Sequence, residues 1–162
     1  MSVVVWDGRY LAADKRVSQG GVFLTTNKIH NLARSAVCGM VWDSNAHRHA
    51  LLQYLNGADV AAKDMEDAEA IVVKMPGEVV IWQGGAPICV TDKFCAIGAG
   101  RDFALAFLHA PEFLFCAGDR CIVETNAMQA VAFASKFVLS CGNGVTYWDS
   151  QTGTVQEWNG CV

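Results

Sequence analysis

The order in which strand-like and helix-like segments follow one another leaves few architectures open to this chain. VVVWDGRYLAAD is two short apolar runs around Asp7-Gly8. That pair favours a type I′ turn, because both central positions need positive φ, so a β-hairpin is expected over residues 3–13. GVFLTTNKIHNLA and AVCGM continue with short runs rich in β-branched residues and broken by polar ones, which predicts more strands up to Met40. The periodicity then changes. Asp43-Ser44-Asn45 can cap a helix whose apolar positions Ala46, Ala50, Leu51 and Tyr54 recur at three to four residues, and Asn56-Gly57 can close it, so a helix is expected over residues 44–55. The acidic connector AAKDMEDAEA has room for a helical turn or two. A second strand block follows: AIVVKM, the turn Pro76-Gly77, EVVIWQ, PICVT and FCAIG. Gly98-Ala99-Gly100 leads into the helical RDFALAFLHA, and residues 111–124 form a connector. Thr125 or Asn126 with Gln129 then resembles a capping box ahead of AMQAVAFASKFVL. The tail VTYWDSQTGTVQEW predicts a last hairpin around Gln151-Thr152-Gly153.

Strands, helix, strands, two helices and a hairpin fit an α+β domain in which two antiparallel sheets pack together with helices on both outer faces. Strands covered on both faces explain why GVFL and AIVVKM run apolar without clean alternation. With 162 residues, no internal repeat and no Pro- or Ser-rich linker, residues 1–162 are expected to form a single domain. Hydrophobic residues make up 52% and charged residues only 17%. So low a charge share in so small a domain points to surface covered by other subunits.

Several function classes fall away. The net charge is −4 and no basic run is longer than Lys15-Arg16, so the clustered footprint that nucleic acid requires is missing. The greasiest stretch, residues 103–118, is broken by His109, Pro111 and Glu112, and so is not expected to span a membrane. MSVVVWDG lacks a basic n-region and reaches Asp7 too soon for a secretory signal, which makes the cytoplasm the expected compartment. The 7 cysteines are odd in number and sit mostly in apolar runs, as reduced core residues do. His47 and His49 lie on different faces of their helix, and Cys116 and Cys121 have no second pair of ligands nearby, so no metal and no other cofactor is expected. Gly98-Ala99-Gly100 lacks both the strand–GxGxxG–helix context and a P-loop lysine, and reads as a tight turn.

The N-terminus carries the chemistry. Met1 precedes Ser2, a small residue after which the initiator methionine is usually removed. That would leave one residue holding both a hydroxyl and a free α-amine. With an unperturbed pKa near 7.7 to 8.0, the neutral amine can take the hydroxyl proton without a histidine. Such a site still needs a carboxylate and a cation, which Asp14 and Lys28 can supply if adjacent strands pair in order.

WDGRYLAADKR through NKIHNLA and AVCGM, then AIGAGRDFALAFL and AMQAVAFASKFVLSCGNGVTYWD, resemble the proteasome β-subunit and HslV peptidase family of N-terminal nucleophile hydrolases, and the short HslV-type proteins of some bacteriophages. The resemblance covers most of the chain in order. It is shortened where the family's second helix would lie, with an insertion around residues 111–124. It implies a four-layer αββα sandwich and a homo-oligomeric ring that cleaves peptide or unfolded protein, with an unfoldase ATPase as a conceivable further partner. It puts Ser2 at the nucleophile, Asp14 at the aspartate that orients the lysine, and Arg16 at a basic position two residues on. Lys28 matches the lysine that lowers the nucleophile's effective pKa, and Gly39 matches the glycine whose N–H serves as an oxyanion donor.

The chain also departs from the family. Gly98-Ala99-Gly100-Arg101 stands where Gly-Ser-Gly-Gly is usual, so the hydroxyl that supports the amine is missing. SCGNG aligns with a Ser-Gly-Gly region whose usual preceding aspartate is absent, with Val138 nearby instead. Serine in place of threonine also loses the methyl that fixes χ1. Two other readings therefore stand beside the peptidase: a catalytically silent ring or shell protein, and an amidase acting on a small amide.

Overall fold

A computed structural model describes residues 2–19, 21–75, 77–110 and 126–160, the Gln19 side chain aside. Met1, Pro76, the connector over residues 111–124 with its Cys116–Cys121 pair, Thr125 and Cys161 lie outside the described residues. The opening apolar runs become β1 (Val3–Trp6) and β2 (Tyr10–Asp14). Their turn differs from the type I′ expectation. Trp6 pairs with Leu11 and Asp7 N–H donates to the Tyr10 carbonyl, so the loop is centred on Gly8-Arg9, and of its residues only Gly8 has a positive φ, 98°. Asp7 acts as an anchor instead. Its Oδ1 accepts from the Arg9 and Tyr10 N–H groups, and its Oδ2 accepts from the Ala127 N–H at the start of the last helix, at 2.8 Å.

The next strands are β3 (Arg16–Gln19), β4 (Val22–Thr25), β5 (Ile29–Leu32) and β6 (Ala36–Trp42). Helix α1 (Asn45–Leu55) follows, with Ser44 as its cap accepting from the His47 N–H. A 3-10 turn, Ala62–Asp64, occupies the acidic connector. The second block is β7 (Ala68–Lys74), β8 (Glu78–Gln83), β9 (Ala86–Val90) and β10 (Cys95–Gly98). Helices α2 (Arg101–His109) and α3 (Ala127–Phe137) come next. α3 is closed by a reciprocal capping box between Asn126 and Gln129. The chain ends in the hairpin β11 (Val145–Asp149) and β12 (Thr154–Trp158).

Two five-stranded antiparallel sheets form, in the orders β10-β1-β2-β11-β12 and β5-β6-β7-β8-β9. Alternation of side chains distributes each strand between two cores. From β1, Val4 and Trp6, with Leu11 of the neighbouring β2, face the other sheet, where Ile29, Val37, Ile71 and Val73 meet them. Val3 and Val5 point the opposite way, under Ala104 and Leu108 of α2 and Ala130, Val131 and Ala134 of α3. On the far side Cys38, Met40 and Trp42 of β6 pack beneath Leu51 of α1. The layers are therefore helices, sheet, sheet, helix, the αββα sandwich expected from the order of segments. Both faces of β1 and β6 are covered and every residue in them is buried. Full burial of a single valine of this kind stabilises by about 1.5 kcal/mol or more.

One feature was not anticipated: β3 and β4 pair only with each other, as a separate two-stranded ribbon. Among the described residues no helix is long and apolar enough to cross a membrane.

Candidate active site

Ser2 immediately precedes β1, a strand held between β10 and β2, so the start of the chain is tied into the sheet. The Gly98-Ala99-Gly100 turn wraps around it. A Cβ on Gly98 would stand 2.3 Å from the Ser2 carbonyl oxygen and one on Gly100 2.9 Å from Val3 Cβ, and only glycine allows so close an approach. The Gly100 N–H donates to the Ser2 carbonyl.

Asp14 ends β2, and Lys28 lies between β4 and β5. The strand pairing brings both to Ser2, and all three are buried. Lys28 Nζ donates to Ser2 Oγ at 2.5 Å, to Asp14 Oδ1 at 2.8 Å and to the Arg16 carbonyl at 2.5 Å. Those three acceptors use all three ammonium protons. Asp14 is held in turn by backbone. The Val3 N–H donates to its Oδ1 at 2.8 Å, and those of Arg16 and Gly142 to its Oδ2 at 3.1 Å. Burial pulls Lys28 below its ordinary pKa of 10.5, while Asp14 opposes the shift. Burial also pushes the neighbouring Cys141 thiol up to about 11, so it stays protonated at neutral pH.

Arg16 contributes its backbone to the cluster, while its guanidinium turns outward to the Leu139 carbonyl and Asn143. Ala99 and Gly98 line a cleft of about 410 Å³ together with Ser2. Ala99 offers that cleft no hydroxyl, and the Gly98 N–H is taken by Glu69 Oε2.

Gly39 is a correction. It sits inside β6, opposite Ile29 on one side and Ile71 on the other, and is not among the residues lining the cleft. Adjacent N–H groups of a strand point to opposite neighbours. Since Met40 donates to the Lys28 carbonyl, the Gly39 N–H faces β7 and the ladder. Its lack of a side chain serves packing: a Cβ there would lie 2.5 Å from Val4 Cγ1 of the facing sheet. The same alternation turns the Trp42 N–H to the side of the Met40 N–H, beyond the end of β5, and Trp42 does line the cleft. Sequence reasoning passed over it because a backbone donor has no side-chain signature. Among the described residues no cluster of His, Cys, Asp and Glu is arranged to hold a metal ion.

No protein-family model matches the chain, and no curated protein matches it. Solved structures do. BPH of Thiobacillus denitrificans in complex with epoxomicin superposes with a TM-score of 0.67 at 17% identity, over 99% of this chain and 100% of that one. Thiobacillus denitrificans BPH in a second structure gives 0.66 at 17%, over 97% and 98%. Eukaryotic HslV from Trypanosoma brucei gives 0.61 at 20%, over 97% and 99%. With near-complete coverage in both directions and the αββα layering described above, this chain has the fold of the HslV and proteasome β-subunit type.

Proposed function

We propose that this chain is a peptidase of the HslV and proteasome type, cleaving peptide bonds through Ser2 once Met1 is removed, within a self-assembled ring. The observation that carries the reading is the buried Lys28 ammonium shared between the Ser2 hydroxyl and Asp14. In the proposed reaction the freed α-amine takes the Ser2 Oγ proton as the oxygen attacks the peptide carbonyl. Lys28 stabilises the developing alkoxide, and its charge keeps the neighbouring amine neutral. The proton passes to the leaving amine as the C–N bond breaks, and water then hydrolyses the ester on Ser2. The Trp42 N–H is the donor we assign to the oxyanion, in place of Gly39; such a donor contributes about 3 to 4 kcal/mol in related acyl transfers.

The cleft carries Asp43, Glu66, Asp67, Glu69 and Asp102 against Arg101. This charge attracts basic peptides, which are therefore the substrates to assay first. Unfolded protein, delivered by an unfoldase ATPase docked on the ring, would use the same cleft. A cytoplasmic site of action agrees with Cys38, Cys89, Cys95 and Cys141 all being free thiols.

Intact-mass measurement is expected to show loss of Met1. Epoxomicin, bound in one of the similar structures, is expected to add covalently at Ser2, and Ser2→Ala to abolish both the adduct and peptide hydrolysis. Retained Met1 in assembled protein that cleaves no basic peptide would overturn the reading. That result would favour a silent ring or shell protein, the alternative that the missing hydroxyl at Ala99 supports.

A further inference from the structure

The β3–β4 ribbon pairs with neither large sheet, and two strands by themselves are marginal in water. Yet this ribbon carries the Arg16 carbonyl, one of the three acceptors around Lys28 Nζ. Backbone bonds hold its base: Lys15 N–H donates to the Gly142 and Gly144 carbonyls at 2.9 and 3.1 Å, and Thr26 N–H to the Lys15 carbonyl at 2.8 Å. Beyond that base, side chains hold it. The Arg16 guanidinium donates to the Leu139 carbonyl at 2.6 Å, and through Nε and Nη2 to Asn143 Oδ1 at 3.3 and 3.2 Å. The other end of the same amide, Asn143 Nδ2, donates to Thr25 Oγ1 at 3.3 Å and to the Leu24 carbonyl at 3.4 Å. One side chain thus grips β3 through Arg16 and β4 through Leu24 and Thr25.

The backbone around Asn143 is shaped for this contact. Gly142, Asn143 and Gly144 have consecutive positive φ values of 137°, 62° and 93°. Asparagine is one of the few side chains that tolerate this region. A Cβ on Gly142 would lie 3.0 Å from Arg16 Cζ, so the guanidinium rests on the bare face of the loop. The same loop donates the Gly142 N–H to Asp14 Oδ2. Two of the three Lys28 acceptors, the Asp14 carboxylate and the Arg16 carbonyl, are therefore held from this one turn.

We propose that Asn143 is a positioning residue for Lys28: its amide clamps both strands of the β3–β4 ribbon and so fixes the Arg16 carbonyl against the Lys28 ammonium. The kinetic part of the test rests on the peptidase reading, and the spectroscopic part does not. Asn143→Gly keeps the left-handed backbone and removes the amide. Asn143→Asp keeps an oxygen acceptor for Arg16. In the full chain, the Lys28 ammonium protons are followed by ¹⁵N NMR, with melting temperature as the control for folding. In Asn143→Gly they are expected to exchange with water about tenfold faster at a closely similar melting temperature. Asn143→Asp, which keeps the acceptor for Arg16 on β3 but loses the donor to β4, is expected to restore only part of the protection. With a basic peptide, kcat is expected to fall about ten- to a hundredfold in Asn143→Gly while KM stays near the wild-type value. Unchanged ammonium exchange in Asn143→Gly would overturn the proposal. So would a loss of protection in Asn143→Gly that merely parallels an equal loss of melting temperature. If the wild-type chain cleaves no peptide but the ammonium responds as expected, the peptidase reading fails and the positioning role stands.

Discussion

Lys28 is the largest fully buried side chain of the described residues and also a charged one. Such a group is tolerated only because Asp14 and two further oxygens meet it, and removing one partner of a buried pair strands the other. Lys28→Met is therefore expected to destabilise the fold by about 3 to 5 kcal/mol in chemical denaturation. The pH dependence involves opposing signs. Because burial lowers the folded-state pKa of Lys28, the unfolded chain binds its proton more readily, and this residue alone would raise stability as pH climbs toward 10.5, by at most about 1.4 kcal/mol per pH unit. Three thiols act the other way. Burial pushes Cys38 and Cys95 up to about 12 and Cys141 up to about 11, from 9.0. Their contribution is complete below pH 9 and is lost as pH rises from there toward their folded values, at about 4 kcal/mol per unit for the three together. The thiols win, so denaturation at pH 8, 9 and 10 is expected to show stability falling above pH 9. Replacing Cys38 by Ala should make that fall shallower. Ser2, Asp14 and Lys28 were legible as a set because an N-terminal hydroxyl needs a carboxylate and a cation, and the first strands offer both. Asn143 was not legible, since its role depends on a left-handed turn meeting a ribbon distant in sequence.

Among the elements, the contact between β1 and β6 sets the spacing of the two sheets. Gly39 leaves room for Val4, and Gly39→Ala is expected to cost about 1 to 3 kcal/mol through overpacking. Val4→Ala in the same chain removes the clash, so urea denaturation of the two single variants and the double variant should reveal a favourable coupling of about 0.5 to 3 kcal/mol. Additive costs would mean that the sheets separate freely at this point. Strand and helix order were readable because apolar periodicity and cap residues are local signals: Ser44 and the Asn126–Gln129 box cap helices where expected. The ribbon was not. GVFLTTNKIHNLA reads as short strand-like runs with a polar break, but nothing in it shows that the chain leaves one partner after Thr25 and meets another at Ile29, with Lys28 buried in the break. Propensity does not encode which partner a strand chooses.

At the scale of the whole molecule, the low charge share finds part of its cause in strands covered on both faces. A further part shows outside: Val22, Phe23 and Leu24 of β4 are each about half exposed. Ring assembly would cover such surface, so light scattering is expected to give a mass several times 17.5 kDa. Phe23→Glu should lower that mass while leaving the fold intact, and a monomer at micromolar concentration would contradict the assembly. The sequence by itself determined the order of strand blocks and helices, the burial of a central strand such as AIVVKM and the chemical types assembled at the N-terminus, because these follow from local periodicity and from what each side chain can do. GVFL, expected to be covered on both faces, is instead exposed in β4, which joins neither large sheet. Only the tertiary structure decided that Gly39 is a packing residue, that Trp42 lines the cleft, and that Asn143 holds the ribbon beside Lys28. The direction of a backbone N–H and the partner of a strand depend on register and on contacts between residues far apart in the chain, which no local pattern records.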